Sequence, residues 1–512
     1  MPTSPKGALD TTPYWAASQP SPGFGPLDHD EHADVVVVGG GITGLTAACL
    51  LATAGKRVVV LERAQLGEID TGHTTAHLTM VTDTRLRELV DSLGREHAQA
   101  VWDAGLAAIH QIDTIVRGHG IDCGFGWVDG YLHAPSGSQQ AEEADTFRDD
   151  AALARELGFD ATFVGDVPVV GGPGMRVDGQ ARFHPRRYLA GLARAVVAAG
   201  GRIYERSAVD EFSGEPLGAT ANGFAVTADE VIIATHNPLA GLSSLPVATL
   251  FQTKLALYTS YVVAARVPKG RVPDALWWDT KDPYHYLRVE PGDTDDLVIF
   301  GGEDHKTGQV TGTPACYAAL ESALGALLPE ARVTHRWSGQ VIETPDGLPY
   351  LGRMGEHHYA ATGFGGNGMT FGTLGAMICA DAILGRANPW AELFAPDRKA
   401  LGRGLWEYVK ENKDYPYYLV RDRFAGVEGR SLREVRRGQG KIIDHEGQTV
   451  AAYRDEDGVV TLRSAICTHM GCHVAWNPAE RTWDCPCHGS RFTPRGQVIA
   501  GPAEAPLPPV EP

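Results

Sequence analysis

The chain has 512 residues, 43% of them hydrophobic, and a formal net charge of −18. That length allows about three domain-sized units, and the apolar content is that of a folded protein rather than a disordered one. The acidity argues against nucleic acid or an anionic membrane surface as a main partner. No uncharged apolar run is long enough to span a bilayer as a helix, and residues 1–30 lack the basic start and apolar centre of a secretion signal, so a cytoplasmic location is expected.

Residues 1–30, rich in Pro, Ser, Gly and Thr, read as an arm laid on the surface or disordered. The stretch 34–62 is the most informative in the chain. Four valines, Val35 to Val38, make a short strand, and Gly39, Gly41 and Gly44 complete a G-x-G-x-x-G turn. Residues 42–54 have the small and apolar residues of a helix on a sheet, and a second apolar strand ends in Glu62. In such a pattern the glycines let the backbone approach a pyrophosphate at the helix N-terminus, and the acid accepts hydrogen bonds from a ribose. A lone glycine motif is a tight turn as often as a nucleotide site. Strand before, helix after and an acid at this distance point to a dinucleotide.

Beyond it, 72–79 is polar, and 83–118 carries helical periodicity on Leu86, Leu89, Val90, Leu93, Val101, Ile109, Ile112 and Ile115. Helices are also expected over 138–157 and 187–199, and residues 230–235 read as a buried strand ending in Ala234 and Thr235. From about 250 to 335 the pattern becomes strand-rich and aromatic, as for a sheet inserted into the dinucleotide domain. Gly363, Gly365 and Gly368 repeat the glycine spacing before a helix at 369–384, yet no strand ending in an acid follows. This turn is read as a second contact to the same cofactor. Residues 386–415 serve as a linker, and the chain from 416 onward has the short strands and turns of a small all-β domain.

The opening motif, Tyr286-Leu-Arg288 with Leu297 to Gly302, Trp337-Ser-Gly339 with Thr344 to Gly352, and Thr362 to Met369 together resemble the D-amino-acid-oxidase-like (DAO) family of FAD enzymes over about 31–398. The resemblance implies an α/β fold, an FAD-binding domain over 31–385 with substrate-domain segments at about 81–165 and 245–335. It implies FAD on Gly39, Gly41, Ile42, Thr43 and Gly44, with ribose on Glu62 beside Arg63. Thr74 and Thr75 would lie near the phosphates, Val209 near the adenine, Ala234 and Thr235 beside the cofactor, and Gly363, Gly366, Gly368 and Met369 near the isoalloxazine. Members generally oxidise a C–N bond of an amine or amino acid by hydride transfer. Tyr258, Tyr286, Arg288 and Trp337 are candidates for lining the substrate pocket, with core or rim positions as the competing reading; Arg288 would suit a carboxylate through a bidentate contact.

Cys49, Cys123, Cys316 and Cys379 are scattered and read as buried thiols, whereas Cys467, Cys472, Cys485 and Cys487 are clustered. Cys467-Thr-His469 and Cys485-Pro-Cys-His488 supply two thiolates and two imidazoles, which suits a Rieske [2Fe–2S] cluster and also, as a bare donor set, zinc. The continuations to Cys472 and Ser490, with Gly501-Pro502 following, resemble the Rieske family over about 416–512 and favour the cluster. That resemblance implies Cys467, His469, Cys485 and His488 as ligands and a Cys472–Cys487 disulfide bracing the loops, as in quinol-oxidising members. Ser490 could donate a hydrogen bond to a cluster sulfide, while Phe492 stands where high-potential relatives carry tyrosine. A potential below theirs, inside the broad range of roughly −150 to +300 mV, is expected.

A flavin accepts two electrons and a Rieske cluster carries one, so a chain holding both divides electron pairs. The expected activity is that of a dehydrogenase: a small-molecule amine or amino acid is oxidised, and single electrons leave through the cluster to an external acceptor protein. A current in the opposite direction, from an external donor, and a non-catalytic electron-transfer or redox-sensing module are the alternatives. The spacing of Asp70, His73 and His77 is close to the mononuclear iron set of a Rieske oxygenase, but it falls where flavin phosphates are expected.

Overall fold

A run of four β-branched residues, Val35–Val38, is buried on both faces and forms an inner strand of a six-stranded sheet in the computed structural model. Continuous burial of this kind is the mark of a parallel strand covered by helices on each side. The structure describes residues 10–135, 140–237, 255–398, 427–429 and 431–511; most of the expected linker, 399–415, lies outside them. The sheet order is Tyr350–Gly355, His358–Thr362, Glu230–Ile233, Val35–Val38, Val58–Leu61, Arg202–Tyr204, parallel except at its first pair. Helices Ile42–Thr53 and Gly368–Ile383 pack on it and on each other.

A second sheet has nine strands. Its centre runs Arg332–Glu343, Ala256–Pro268, Asp295–Lys306, Tyr286–Glu290, Ala275–Asp279, and it continues into Gly126–His133 and Gly174–Arg182. The aromatic, strand-rich segment of the sequence is therefore half of a larger sheet whose remaining strands come from before residue 183. The helical stretch expected over 83–118 is two helices, Leu86–Leu93 and Arg95–His119, because Gly94 between them takes φ +84°, which ends a right-handed helix.

The N-terminal arm corrects the expectation of a loose surface segment. Trp15 is fully buried and its indole N–H donates to Thr74 O at 2.6 Å, while Leu27 is also in the core. A Pro/Ser/Gly-rich composition concealed a few anchoring side chains.

From 427 on the chain forms a small β domain of two sheets, Gln439–His445, Gln448–Arg454, Val460–Ser464 and Ala475–Asn477, Thr482–Asp484, Arg491–Phe492, Val498–Ala500. Trp483, Phe492 and Leu507 are fully buried in its core. This domain is seated on the nine-stranded sheet and the helix Pro314–Leu327 beside it. Thr313 Oγ1 donates to Asn477 Oδ1 (2.6 Å), Tyr317 to Glu480 (2.5 Å) and Gln340 Nε2 to Gly489 O (2.7 Å). The approach is close: a Cβ on Gly308 would lie 2.8 Å from the Cys485 carbonyl carbon.

Candidate functional site

The glycine turn after Val35–Val38 exists because two backbones meet there. A Cβ on Gly44 would sit 1.9 Å from Gly39 O, and one on Gly39, at φ +110°, would sit 2.5 Å from Ala234 O. Only glycine lets the helix Ile42–Thr53 start this near the strand. Glu62 folds back over the turn, accepting N–H bonds from Gly40 (2.7 Å) and Ala64 (2.8 Å), and burial holds its carboxyl above the usual value.

A cavity of about 580 Å³ opens from this turn. Its lining includes Gly39, Gly41, Ile42, Thr43, Glu62, Arg63 and Val209. Thr74, Thr75, Ala234, Thr235, Gly366, Gly368 and Met369 line it as well. Of the residues expected around the cofactor, Gly44 and Gly363 do not line it. Gly44 admits the helix from behind, and Gly363, at φ +75°, turns the chain against Thr344.

Of the four pocket candidates only Tyr286 lines the cavity. Arg288 is fully buried elsewhere: its guanidinium donates to Ala76 O (2.8 Å) and Phe183 O (3.1 Å) and pairs with Glu290. It ties strands together and is turned away from any substrate. Trp337 is likewise in the core, its indole N–H donated to His73 O at 2.8 Å. Tyr258, opposite Lys306 and Val341 in the sheet, is outside the lining as well.

Several lining residues were not foreseen. His236 Nδ1 lies 2.8 Å from Asp70 Oδ2, and its ring stacks on Phe364 at 5.3 Å and 7°. Tyr284 donates to Asp83 (3.3 Å), and the Tyr286 and Ser260 hydroxyls are 2.6 Å apart. Asp83 reaches across to the second glycine turn, where a Cβ on Gly366 would meet its Oδ2 at 2.5 Å. Burial and the nearby Asp304 charge push the Asp83 carboxyl up to about 7, against the Tyr284 bond, and burial pushes Asp304 up to about 6. Asp304 lies in the charged end Glu303-Asp-His-Lys306 of its strand, so nothing in the local sequence marked it.

Asp70, His73 and His77 do not converge on a metal. Asp70 faces His236, His73 Nδ1 lies 2.7 Å from Ile69 O, and His77 Nδ1 lies 3.0 Å from Thr75 Oγ1. Among the described residues the metal-ligating cluster is at the cysteines.

There the loops at 467–472 and 485–490 face one another, joined by a Cys472–Cys487 disulfide. The His469 and His488 rings are 4.9 Å apart and perpendicular, and burial lowers both to about 4, so both are neutral donors. Cys467 and Cys485 are hydrogen-bonded to each other, and Ser490, fully buried, bonds Cys467 as well as accepting from Ala503 N–H (3.1 Å). Two thiols and two neutral imidazoles on opposed loops fit a cluster with one sulfur-ligated and one nitrogen-ligated iron. The glycine cradle and Glu62 likewise fit a dinucleotide.

The following segment, 499–505, runs from the cluster domain to the flavin side: Ile499, Gly501 and Glu504 line the cavity, and Arg63 donates to Ile499 O at 2.6 Å. One wall of the cavity is therefore made by the cluster domain.

This fold and these two sites define a flavoprotein oxidoreductase with an iron–sulfur domain. The family model "FAD dependent oxidoreductase" (DAO) matches residues 34–382, and "Rieske [2Fe-2S] domain" matches 428–511. The chain belongs to the FAD-dependent oxidoreductase family and carries a C-terminal Rieske domain; its cofactors are FAD and a [2Fe–2S] cluster. YhfW of Bacillus subtilis (strain 168), assigned by name to the Rieske 2Fe-2S iron-sulfur proteins, is 34% identical over 501 residues, 96% of each chain. Gamma-glutamylputrescine oxidoreductase of Escherichia coli (strain K12) is 26% identical over 405 residues, 74% of this chain and 90% of its own. Glycine oxidase from Geobacillus kaustophilus shares the fold, with a TM-score of 0.61 at 20% identity, covering 72% of this chain and all of that one. No helix among the described residues is long and apolar enough to cross a membrane.

Proposed function

We propose that the chain is a dehydrogenase that oxidises the C–N bond of an amine or amino-acid-like substrate and delivers the electrons singly, through the Rieske domain, to an external acceptor protein. FAD supplies an acceptor for a hydride, and the cluster supplies a one-electron outlet. The observation that carries this reading is the shared wall: residues 499–505 of the cluster domain line the cavity that the flavin-binding glycines open. A pure oxidase would have no use for such an attachment, because oxygen takes electrons from flavin directly. The E. coli relative is named for γ-glutamylputrescine, which agrees with amine chemistry.

The chain's own residues bind and position. Glu62 and the first glycine turn would hold the dinucleotide, and Gly366, Gly368 and Met369 line the same cavity. His77, held down to about 3 by burial, brings no positive charge to the cavity at neutral pH. A cytoplasmic location, expected from the sequence, is part of the proposal; the disulfide between Cys472 and Cys487 would be shielded there by burial in the cluster domain.

The test is an anaerobic substrate screen on the purified protein, following flavin absorbance and the EPR signal of the reduced cluster together. Bleaching of flavin by an amine, followed by growth of the cluster signal, is the expected result. If amines fail and an external donor reduces the cluster first and the flavin second, electrons run inward and the proposal falls.

A further inference from the structure

The end of the cavity beside the Gly366 turn is walled by Trp278, Tyr284 and Tyr286 and carries two carboxylates, Asp83 and Asp304. Both acids line the cavity, Asp83 exposed and Asp304 half-buried. Ser260 hydrogen-bonds the Asp304 carboxylate, but Asp304 Oδ1 is buried with no hydrogen-bond partner. Among the described lining residues the one arginine or lysine is Arg63, at the dinucleotide end beside Glu62, and Arg288 is spent on backbone carbonyls and Glu290. The acids thus have no counter-charge from the described chain. Two carboxylates in a cavity wall, with no basic side chain beside them among the described lining residues, favour a ligand that carries positive charge.

The chemistry selects that ligand. Aromatic faces attract an organic cation, and carboxylates form charge-assisted hydrogen bonds with ammonium groups. A free carboxylate on the substrate would instead add a third negative charge. We infer that this end of the cavity recognises an organic dication, an aliphatic amine bearing a second ammonium group and no carboxylate, with Asp83 and Asp304 as its anions and Trp278, Tyr284 and Tyr286 as its walls. Asp83, in contact with the Gly366 turn, is the acid nearer the flavin-facing glycines, and Asp304 holds the distal charge. The inference rests on the reading of the cavity as an amine-oxidising site and narrows its substrate class.

The experiment uses the full-length protein with both cofactors, under anaerobic conditions, titrated with 1,4-diaminobutane, n-butylamine and 4-aminobutanoate. Binding is read from the perturbed flavin spectrum and by calorimetry, and turnover from flavin bleaching. The diamine should bind about tenfold or more tighter than butylamine, since a hydrogen bond to a charged group is worth about 1.5–3 kcal/mol and each 1.4 kcal/mol is tenfold. 4-Aminobutanoate should bind weakest. In Asp304→Asn the diamine preference over butylamine should vanish; a merely structural loss would weaken both ligands alike and leave the ratio intact. Asp83→Asn, similar in shape, provides the second variant should the first not fold. Equal binding of the three ligands, or preference for 4-aminobutanoate, overturns the inference. Diamine binding without any flavin bleaching leaves the recognition standing and overturns the dehydrogenase reading, whereas bleaching by amino acids without diamine preference does the reverse.

Discussion

The cluster site and the substrate end of the cavity are built in opposite ways. Every donor of the cluster site comes from two loops, 467–472 and 485–490, cross-linked by Cys472–Cys487 and set on one small core. The substrate end gathers Asp83, Ser260, Trp278, Tyr286 and Asp304 from strands and loops as much as two hundred residues apart, with Tyr284 bonded to Asp83 across that gap. The first is a local device whose geometry survives if its own domain folds. The second exists only when the nine-stranded sheet is in register and the loop carrying Asp83 is packed against it. Damage to the flavin domain should therefore remove one function and spare the other.

Gly44→Ala is the strongest test of that independence. The added Cβ would lie 1.9 Å from Gly39 O, so the helix Ile42–Thr53 must shift away from the turn. Overpacking of this kind costs about 1–3 kcal/mol, roughly 5- to 150-fold in flavin affinity. The purified variant should have a much reduced flavin-to-iron ratio and an unchanged cluster EPR spectrum. Loss of both signals together would mean that the cluster domain depends on the flavin domain for its folding, and the contrast would be gone.

The same contrast governs what can be read from sequence. Cys467, His469, Cys485 and His488 were legible because spacing within a loop fixes which donors meet. The glycine turn and Glu62 were legible because one strand–turn–helix–strand unit holds them all. For Arg288 and Trp337 the sequence left a substrate-facing and a non-substrate reading open for a physical reason: an arginine or tryptophan in a strand looks the same whether its polar group meets a substrate or a carbonyl from a distant turn, here Ala76 O and His73 O. Asp83 and Asp304 were missed because their meaning comes from each other, across more than two hundred residues. Trp15 shows the same limit in reverse, since nothing local marks which residue of a polar arm is buried.

The pH dependence of ligand binding sharpens the substrate side. Asp83, raised to about 7, faces Tyr284 and Asp304; Asp304, raised to about 6, feels Ser260, Glu303 and Asp282, with His285 bridging toward Glu303 at 3.2 Å. In the free protein these raised values favour the protonated acids, so their contribution to stability is fully present below the ordinary 3.8 and is lost as pH rises through about 6 to 7. For a cation the sign is opposite, because only the ionised acids attract it. The dissociation constant of 1,4-diaminobutane should rise by about tenfold or more between pH 8 and pH 5, while aliphatic ammonium groups stay charged throughout, near a pKa of about 10. Asp83→Asn should flatten the upper part of that curve. A flat profile in the parent protein would exclude ion pairing at these carboxylates.

The smallest effect tests the cluster side. Phe492 is fully buried in the strand Arg491–Phe492, opposite Trp483, and has no hydroxyl to offer, whereas Ser490, two residues earlier, bonds Cys467. A hydrogen bond to a cluster sulfur favours the reduced, more negative state. If one such bond distinguishes the two redox states by about 1.4 kcal/mol, it is worth about 59 mV for one electron. Phe492→Tyr should raise the potential by that order, and Ser490→Ala should lower it by a similar amount, in an EPR-monitored redox titration. The two shifts need not be equal, because the new hydroxyl must displace well-packed neighbours to reach its acceptor. What matters is their opposite sign. A potential that falls in Ser490→Ala but does not move in Phe492→Tyr would mean that position 492 does not face the cluster. The low potential expected of this domain would then have another origin.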